Sequence, residues 1–211
     1  RNYLQALSSF DLALSLRGPA ARVLQYRAEA YSQMGDFSKA MQDIQAALEK
    51  DPKNASLHDT LGNIRLRLRD YDLAIQDLNQ ALKLDPNNVS ALLHRGLAYA
   101  GKGALKNARR DFQNASEQDS RSKEAFTFLC AARRMLKDPI EAVKDCSRVI
   151  TEGPAYGPAY IQRGLSYLAL SDSANAIEDL DKGARLGARR VEGLLAQSVA
   201  HAMGKQFKQA H

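Results

Sequence analysis

Residues 55–88 read ASLHDTLGNIRLRLRDYDLAIQDLNQALKLDPNN, and the spacing within this stretch recurs along the whole chain. It contains one of seven alanines that stand 34 residues apart: Ala6, Ala40, Ala74, Ala108, Ala142, Ala176 and Ala210. A fixed period of this length is typical of a solenoid in which each repeat is a pair of helices. The sequence therefore predicts an array of helical repeats.

Two further columns keep the same period. Twelve residues before each alanine stands a small residue, as in Ala28, Gly62, Gly96, Cys130, Gly164 and Ser198. Four residues after it stand Phe10, Ile44, Leu78, Phe112, Cys146 and Leu180. Spacings of three and four place such residues on one helical face, so each repeat is expected to bury one face of each helix.

These columns predict two helices in each repeat. First helices are expected at 22–34, 56–68, 90–102, 124–136, 158–170 and 192–204. Second helices are expected at 4–16, 38–50, 72–84, 106–118, 140–152 and 174–186. Asp36, Asp70 and Asp138 directly precede second helices, and their side chains are expected to cap them.

The stretch 55–88 resembles the tetratricopeptide repeat family. The residues that carry the resemblance are Leu61, Gly62, Tyr71, Ala74, Ala81 and Pro86. The resemblance extends over the whole chain. It predicts a half repeat at 1–20, full repeats at 21–54, 55–88, 89–122, 123–156 and 157–190, and a partial repeat at 191–211. The resemblance implies an all-α fold, a right-handed superhelix of antiparallel helix pairs. Since polar capping repeats normally close such an array and neither end has one, we expect a part of a longer protein.

Composition narrows the classes of partner and compartment. The net charge is +6, but the pairs Arg109–Arg110, Arg133–Arg134 and Arg189–Arg190 are scattered, so nucleic acid is not expected as a partner. There is no membrane-spanning apolar run and no signal peptide. We expect a cytoplasmic protein, with a ciliary or other intracellular assembly as the alternative.

Cys130 and Cys146 fall in core columns of the same repeat, where small apolar side chains are favoured. The sequence predicts buried free thiols at these positions. A disulfide or a metal site is the alternative.

One arginine and one aspartate recur in every full repeat. The arginine holds position 7 of the repeat in Arg27, Arg95 and Arg163, and position 11 in Arg65 and Arg133. The aspartate holds position 23, as Asp43, Asp77, Asp111, Asp145 and Asp179. Because both columns lie on packed helix faces, we expect structural ion pairs between them.

The sequence has no catalytic or cofactor-binding motif. Its four histidines, His58, His94, His201 and His211, form no HExxH pattern, and there is no Cys-x-x-Cys and no glycine-rich phosphate loop. We therefore expect no catalytic residues, no metal site and no cofactor, and we do not expect an enzyme.

The resemblance implies a concave binding groove, lined by positions 2, 5, 6, 9, 12 and 13 of the first helices. Members that bind chaperones clamp a C-terminal carboxylate there with lysine, arginine and asparagine. In the best register this chain has Asp59, Asn63, His94, Glu124 and Phe128, of which Asn63 alone matches. Two acids would repel the ligand, so carboxylate-clamp chaperone binding is not expected.

In the later repeats these groove positions are mainly apolar. They include Leu93, His94, Leu97, Phe128, Ile161, Leu165, Leu195 and Val199. Either neighbouring segments cover these side chains, or they bind a peptide or amphipathic helix of a partner. In the second case the polar Glu29 is expected to contribute little to binding.

The sequence thus predicts a scaffold for protein–protein interaction that holds a partner peptide or helix in its groove. Two alternatives stay open. One is a regulatory or substrate-recruiting arm of a larger enzyme, and the other is a structural subunit of a ciliary or transport assembly. Nothing in the sequence identifies the partner.

Overall fold

The structure, a computed structural model, describes residues 3–18 and 20–188. These residues form eleven α-helices and no strand. The chain divides into two compact units, Arg1–Ala104 and Leu105–His211. The first unit contains α1 (Tyr3–Arg17), α2 (Ala21–Met34), α3 (Phe37–Lys50), α4 (Ala55–Arg67), α5 (Tyr71–Leu84) and α6 (Val89–Gly101). The second contains α7 (Leu105–Gln118), α8 (Lys123–Met135), α9 (Pro139–Glu152), α10 (Gly157–Ala169) and α11 (Ser173–Arg185).

The helices confirm the predicted pattern, and each begins one residue earlier than expected. The predicted helix at 192–204 lies outside the described residues. Within the first unit α2 contacts α3 and α4 contacts α5, and within the second α8 contacts α9 and α10 contacts α11. First helices also lie beside one another, since α4 contacts α2 and α6, and α10 contacts α8.

The repeated columns form the core of each helix pair. Ala40, Ala74, Ala108, Ala142 and Ala176 are all fully buried. A Cβ atom on Gly62 would lie 2.5 Å from Cγ of Leu78, and one on Gly164 would lie 2.8 Å from Cγ of Leu180. The small residue of the first helix thus makes room for the large residue of the second, which explains why the two columns occur together.

The turn inside each repeat uses a left-handed residue that also keeps the 34-residue period. These residues are Gly35, Arg69, Gly103, Lys137 and Ser171, with φ between 62° and 86°. Glycine adopts this conformation without a steric penalty, whereas Arg69, Lys137 and Ser171 adopt it at a steric cost. The sequence analysis missed this column because only two of its members are glycine.

The helix caps correct part of the prediction. Asp36 accepts a hydrogen bond from the backbone N–H of Lys39 at 3.2 Å, as expected. Asp70 and Asp138 stand at the N-cap positions of α5 and α9, but their side chains make no capping hydrogen bond. Other side-chain caps occur at helices of both kinds: Asn88 accepts from the N–H of Ala91 before α6 at 3.0 Å, and Asp172 accepts from the N–H of Asn175 before α11 at 3.2 Å.

Candidate functional site

Two of the position-7 arginines, Arg27 and Arg163, each hold a buried aspartate with two parallel hydrogen bonds. Arg27 donates from Nε and Nη2 to Asp43 at 2.7 and 2.6 Å. Arg163 donates from Nε and Nη2 to Asp179 at 2.6 and 2.8 Å. Asp43 and Asp179 are only 5% and 4% exposed. Because burying a carboxylate is costly, this paired geometry makes each arginine a structural requirement of its helix pair.

Arginines at position 11 make a less complete contact. Arg65 donates from Nη1 to Oδ2 of Asp77 at 2.6 Å. Nε of Arg133 lies 3.1 Å from Oδ2 of Asp145, but this oxygen accepts no hydrogen bond from the described residues because the N–H is not aimed at it. Burial raises the pKa of Asp145 to about 6, against the attraction of Arg133.

The position-7 arginines also reach the preceding repeat, which the sequence analysis did not foresee. Nη1 of Arg27 donates to Asp11 at 2.7 Å, and Nη1 of Arg163 donates to Ser147 at 3.0 Å. Nη1 of Arg95 donates to Asn79 at 2.8 Å. All three acceptors stand 16 residues before their arginine, but they are of different residue types, so no recurring residue in the sequence marks these positions.

Asp111, the remaining aspartate of position 23, is fully buried on α7 of the second unit.

The first unit has an open cavity of about 430 Å³ between α1 and the first helices α2, α4 and α6. We call it the first-unit cavity. Its walls include the aromatic Tyr3, Phe10 and Tyr26 and the polar Glu29, Asp59, Asn63 and His94. The volume falls in the range of about 300–1,000 Å³ that is usual for ligand sites. The contributions of α2, α4 and α6 come mainly from the predicted groove positions.

Glu29 lies on the wall of this cavity, where neutral groups surround its carboxylate. Gln25 Nε2 and Thr60 Oγ1 each approach Oε1 of Glu29 at 3.3 Å. Gln25 makes shorter hydrogen bonds to Ser56 Oγ at 2.8 Å and to Thr60 Oγ1 at 2.9 Å. Burial raises the pKa of Glu29, the bonds from Thr60 and Gln25 oppose this rise, and the charge of Asp59 adds to it.

Asp59 is the second carboxylate of the cavity, and it links two first helices. Its Oδ1 lies 2.7 Å from Nδ1 of His94 on α6. Since a carboxylate oxygen only accepts, the ring N–H donates in this contact. Within the described residues, no lysine or arginine forms an ion pair with Glu29 or Asp59, and none lines the cavity.

The predicted apolar groove residues have different environments. Leu93, His94 and Leu97 on α6 are half-buried, whereas Leu195 and Val199 lie outside the described residues. In the second unit Leu165 is half-buried, and Phe128 packs against Phe112 with ring centroids 5.4 Å apart.

Ile161 is covered by its neighbours, which is the first of the two alternatives for the apolar groove positions. It is only 3% exposed and fills the space beside Gly183, where a Cβ would lie 2.7 Å from its Cδ1. Gly183 replaces the alanine found seven residues after the column alanine in most other repeats. This replacement opens the core of the repeat, and the isoleucine side chain occupies the opening.

The expectation of free thiols is wrong. Cys130 and Cys146 form a disulfide, with their Cα atoms 5.8 Å apart. They hold the facing core positions that Gly62 and Leu78 hold in the second full repeat. Because these positions are always in contact across a helix pair, two cysteines there meet the distance that a disulfide requires.

The described residues contain neither a metal-binding cluster nor a membrane-spanning helix. No group of three or more histidine, cysteine, aspartate or glutamate side chains is placed to hold a metal ion. No described helix combines the length and apolar character needed to cross a membrane. A second depression of about 560 Å³ is lined by Arg22, Gln25 and Asn54 among other residues. We take the first-unit cavity as the candidate site because three first helices contribute to it.

Comparison with known proteins agrees with the fold. A model described as TPR repeat matches residues 62–103, and one described as tetratricopeptide repeat matches residues 21–54. The comparison with curated proteins gives no match.

Several solved structures are similar to this chain. A tetratricopeptide repeat protein from Parabacteroides merdae has 22% identity and a TM-score of 0.73, over 95% of this chain and 78% of that one. YrrB, described as a TPR protein with an unusual peptide-binding site, has 21% identity and a TM-score of 0.66, over 90% and 97% of the two chains. The Cut9–Hcn1 hetero-tetramer of the APC/C has 16% identity and a TM-score of 0.84, over 94% of this chain and 40% of that one.

The family matches, the paired helices and the structural likeness agree with one another. Residues 21–54 and 62–103 are tetratricopeptide repeats, and the described residues of the chain form an all-α solenoid of helix pairs. At the identities of the solved structures, the likeness concerns the fold alone.

Proposed function

We propose that the chain is a scaffold for protein–protein interaction and that a peptide segment of a partner binds across α2, α4 and α6. The tetratricopeptide repeat fold supports the general role. The location rests on one observation, the first-unit cavity, which is open and lined by groove positions of three neighbouring first helices. A concave surface with a few convergent polar groups is the usual form of a binding site.

The polar groups of the cavity suit an extended peptide. Asn63 lies on the wall, and within the described residues its side-chain amide has no hydrogen-bond partner. An amide both donates and accepts, so it can pair with the backbone of a bound segment. Leu97 follows His94 by three residues on α6 and is half-buried. Leu93 and Leu97 therefore supply the apolar part of the proposed surface in this unit.

The second unit, taken by itself, offers a separate and smaller apolar surface at Phe128 and Leu165. Both remain partly exposed on α8 and α10. Contact with a partner side chain would bury the rest of their surface, which stabilises a complex. Glu29, which the sequence analysis expected to contribute little, lies on the wall of the first-unit cavity, so the proposed surface includes the polar residues of α2 and α4.

A peptide library tests this function. The full 211-residue chain is used to select from a positional-scanning library of decapeptides with acetylated N-termini and amidated C-termini. We expect selected peptides with a Kd below about 0.1 mM by fluorescence anisotropy. Leu97→Asp and Asn63→Arg should each weaken binding roughly tenfold or more, because each places a charge on the proposed surface.

The matched control is Leu73→Asp on α5. Leu73 is 44% exposed on a second helix, away from the first-unit cavity, so its replacement should leave the Kd unchanged. All variants must keep the helicity of the original chain. Failure to select any peptide contradicts the function, and equal weakening by the Leu73 variant contradicts the location.

A further inference from the structure

The two carboxylates of the first-unit cavity differ from the aspartates of the ion-pair column. Asp43 receives two N–H groups of Arg27 at 2.7 and 2.6 Å. Glu29 is approached by neutral donors at 3.3 Å, and Asp59 by the imidazole of His94 at 2.7 Å. In the part of the chain that the structure describes, the cavity thus has two acids and no lysine or arginine on its walls. Arg22 lines a neighbouring depression that also includes Glu29, but its Nε donates to the hydroxyl of Tyr26 at 3.0 Å. Among the described residues, neither acid is in an ion pair with lysine or arginine, so both can attract an incoming cation.

The wall that α1 and Tyr26 contribute is apolar and aromatic. Phe10 on α1 stacks on Tyr26 of α2, with centroids 6.3 Å apart and an interplanar angle of 27°. Tyr3 and Ala6 continue this wall along α1. An apolar wall beside two carboxylates is complementary to a long side chain that has an aliphatic stem and a cationic head.

We propose that the first-unit cavity binds a lysine or arginine side chain of the partner peptide. The cationic head lies between Glu29 and Asp59, and the stem packs against Tyr3 and Phe10. The assignment rests on the proposed function, since the peptide supplies the side chain. Burial and the neighbouring Asp59 both raise the pKa of Glu29, and a bound cation opposes this effect by stabilising the ionised form.

Single amino-acid probes test the subsite without any peptide. N-acetyl-arginine methylamide and N-acetyl-lysine methylamide are titrated into the 15N-labelled full chain, with N-acetyl-glutamine methylamide as the neutral probe. We expect saturable changes in the amide shifts of Thr60 and Asn63 with the two cationic probes and none with the neutral one. In a second sample labelled with 13C and 15N, the side-chain carboxyl 13C resonance of Glu29 should titrate at lower pH when the arginine probe is bound.

Glu29→Gln and Glu117→Gln form a matched pair of variants. Glu117 is exposed on α7 and accepts a hydrogen bond from Gln113 at 3.0 Å, as Glu29 does from Gln25 four residues earlier. Both changes remove one negative charge. Glu29→Gln should weaken binding of the arginine probe at least about fivefold, because a charge-assisted contact becomes a neutral one. Glu117→Gln should leave binding unchanged.

The possible failures can be told apart. Absent or non-saturable shifts, equal shifts with the glutamine probe, or no effect of Glu29→Gln would overturn the subsite. Library peptides that bind at Leu97 and Asn63 without any preference for lysine or arginine would also overturn it, while the proposed function would stand. Probes that bind as expected, when the library yields no peptide, would support the subsite and reject the peptide-binding function.

Discussion

Cys130 on α8 and Cys146 on α9 are joined by a disulfide that crosses the helix pair. Both residues are fully buried. In the first full repeat the same two positions are held by Ala28 and Ile44, which belong to one core cluster. The disulfide thus replaces, in one repeat, the packing of a small residue against a large one.

Reduction of this bond should destabilise the chain. The two cysteines are 16 residues apart, and a cross-link that closes a loop of about this size contributes roughly 3 kcal/mol. Urea unfolding with and without a phosphine reductant measures the difference in the free energy of unfolding. Cys130→Ala with Cys146→Ile copies the first repeat and should not respond to the reductant. An equal response of this variant and the original chain would contradict the assignment.

The arginines that make two hydrogen bonds to a buried aspartate should contribute far more to the stability of the fold than surface ion pairs do. Arg163→Met leaves Asp179 buried without its two donors, and such a loss costs about 3–5 kcal/mol. Lys39→Met removes a cation from an exposed pair in which Nζ lies 2.9 Å from Asp36, and the loss of stability should be far smaller because solvent screens the pair. Chemical unfolding of both variants tests the contrast. Similar losses would show that Arg163 has no special structural role.

The elevated pKa of Asp145 predicts a particular pH dependence. Its folded pKa is about 6, above the ordinary value of 3.8, so between these values the folded chain binds the proton more tightly than the unfolded chain. The stabilising contribution is present at low pH and is lost as pH rises through about 6. Asparagine does not titrate, so the Asp145→Asn variant does not lose this contribution as pH rises. The free energy of unfolding of the variant, relative to that of the original chain, should therefore increase from about pH 4 to pH 7.

Asp36 provides a control of opposite sign. Its hydrogen bond and ion pair with Lys39 lower the pKa of its carboxyl, so its contribution is lost when pH falls through that lowered value. Asp36→Asn should therefore lose stability relative to the original chain as pH rises from the acid range. If both variants showed the same slope, the assignment of the pH dependence to Asp145 would be wrong.

The 34-residue period was sufficient to predict the helices and the positions of the arginine and aspartate columns. Period alone identifies residues that face a neighbouring helix, and these side chains determine the packing. The period does not reveal contacts whose acceptor residue differs from repeat to repeat, such as those of Arg27 with Asp11 and of Arg163 with Ser147. The burial of Ile161 likewise depends on a glycine in the facing helix, and that relation appears only when both helices are packed.

The candidate site was only partly predictable for a similar reason. Its residues stand at groove positions, which the resemblance identified, and the acids at Glu29 and Asp59 were visible in the sequence. The sequence did not show that these acids share a cavity with Phe10 on α1, or that Asp59 contacts His94 on α6. Those residues are separated from Asp59 by 49 and 35 positions, and only folding brings them to one cavity.

A peptide that ends in Glu-Glu-Val-Asp should not bind measurably. Its terminal carboxylates would meet Glu29 and Asp59 in the first-unit cavity, and like charges at an interface disfavour association. Fluorescence anisotropy of the labelled peptide with the full chain provides the measurement. Saturable micromolar binding that disappears when the C-terminus is amidated would show that the chain binds carboxylates after all.

The most direct test of binding across α2, α4 and α6 is a map of amide shift changes. The 15N-labelled chain is titrated with a peptide selected from the library, and the changes are assigned along the sequence. Our account predicts that the largest changes fall within 25–33, 59–63 and 90–97, in the three first helices of the first unit. Changes confined to α3 and α5, or to the second unit, would contradict it.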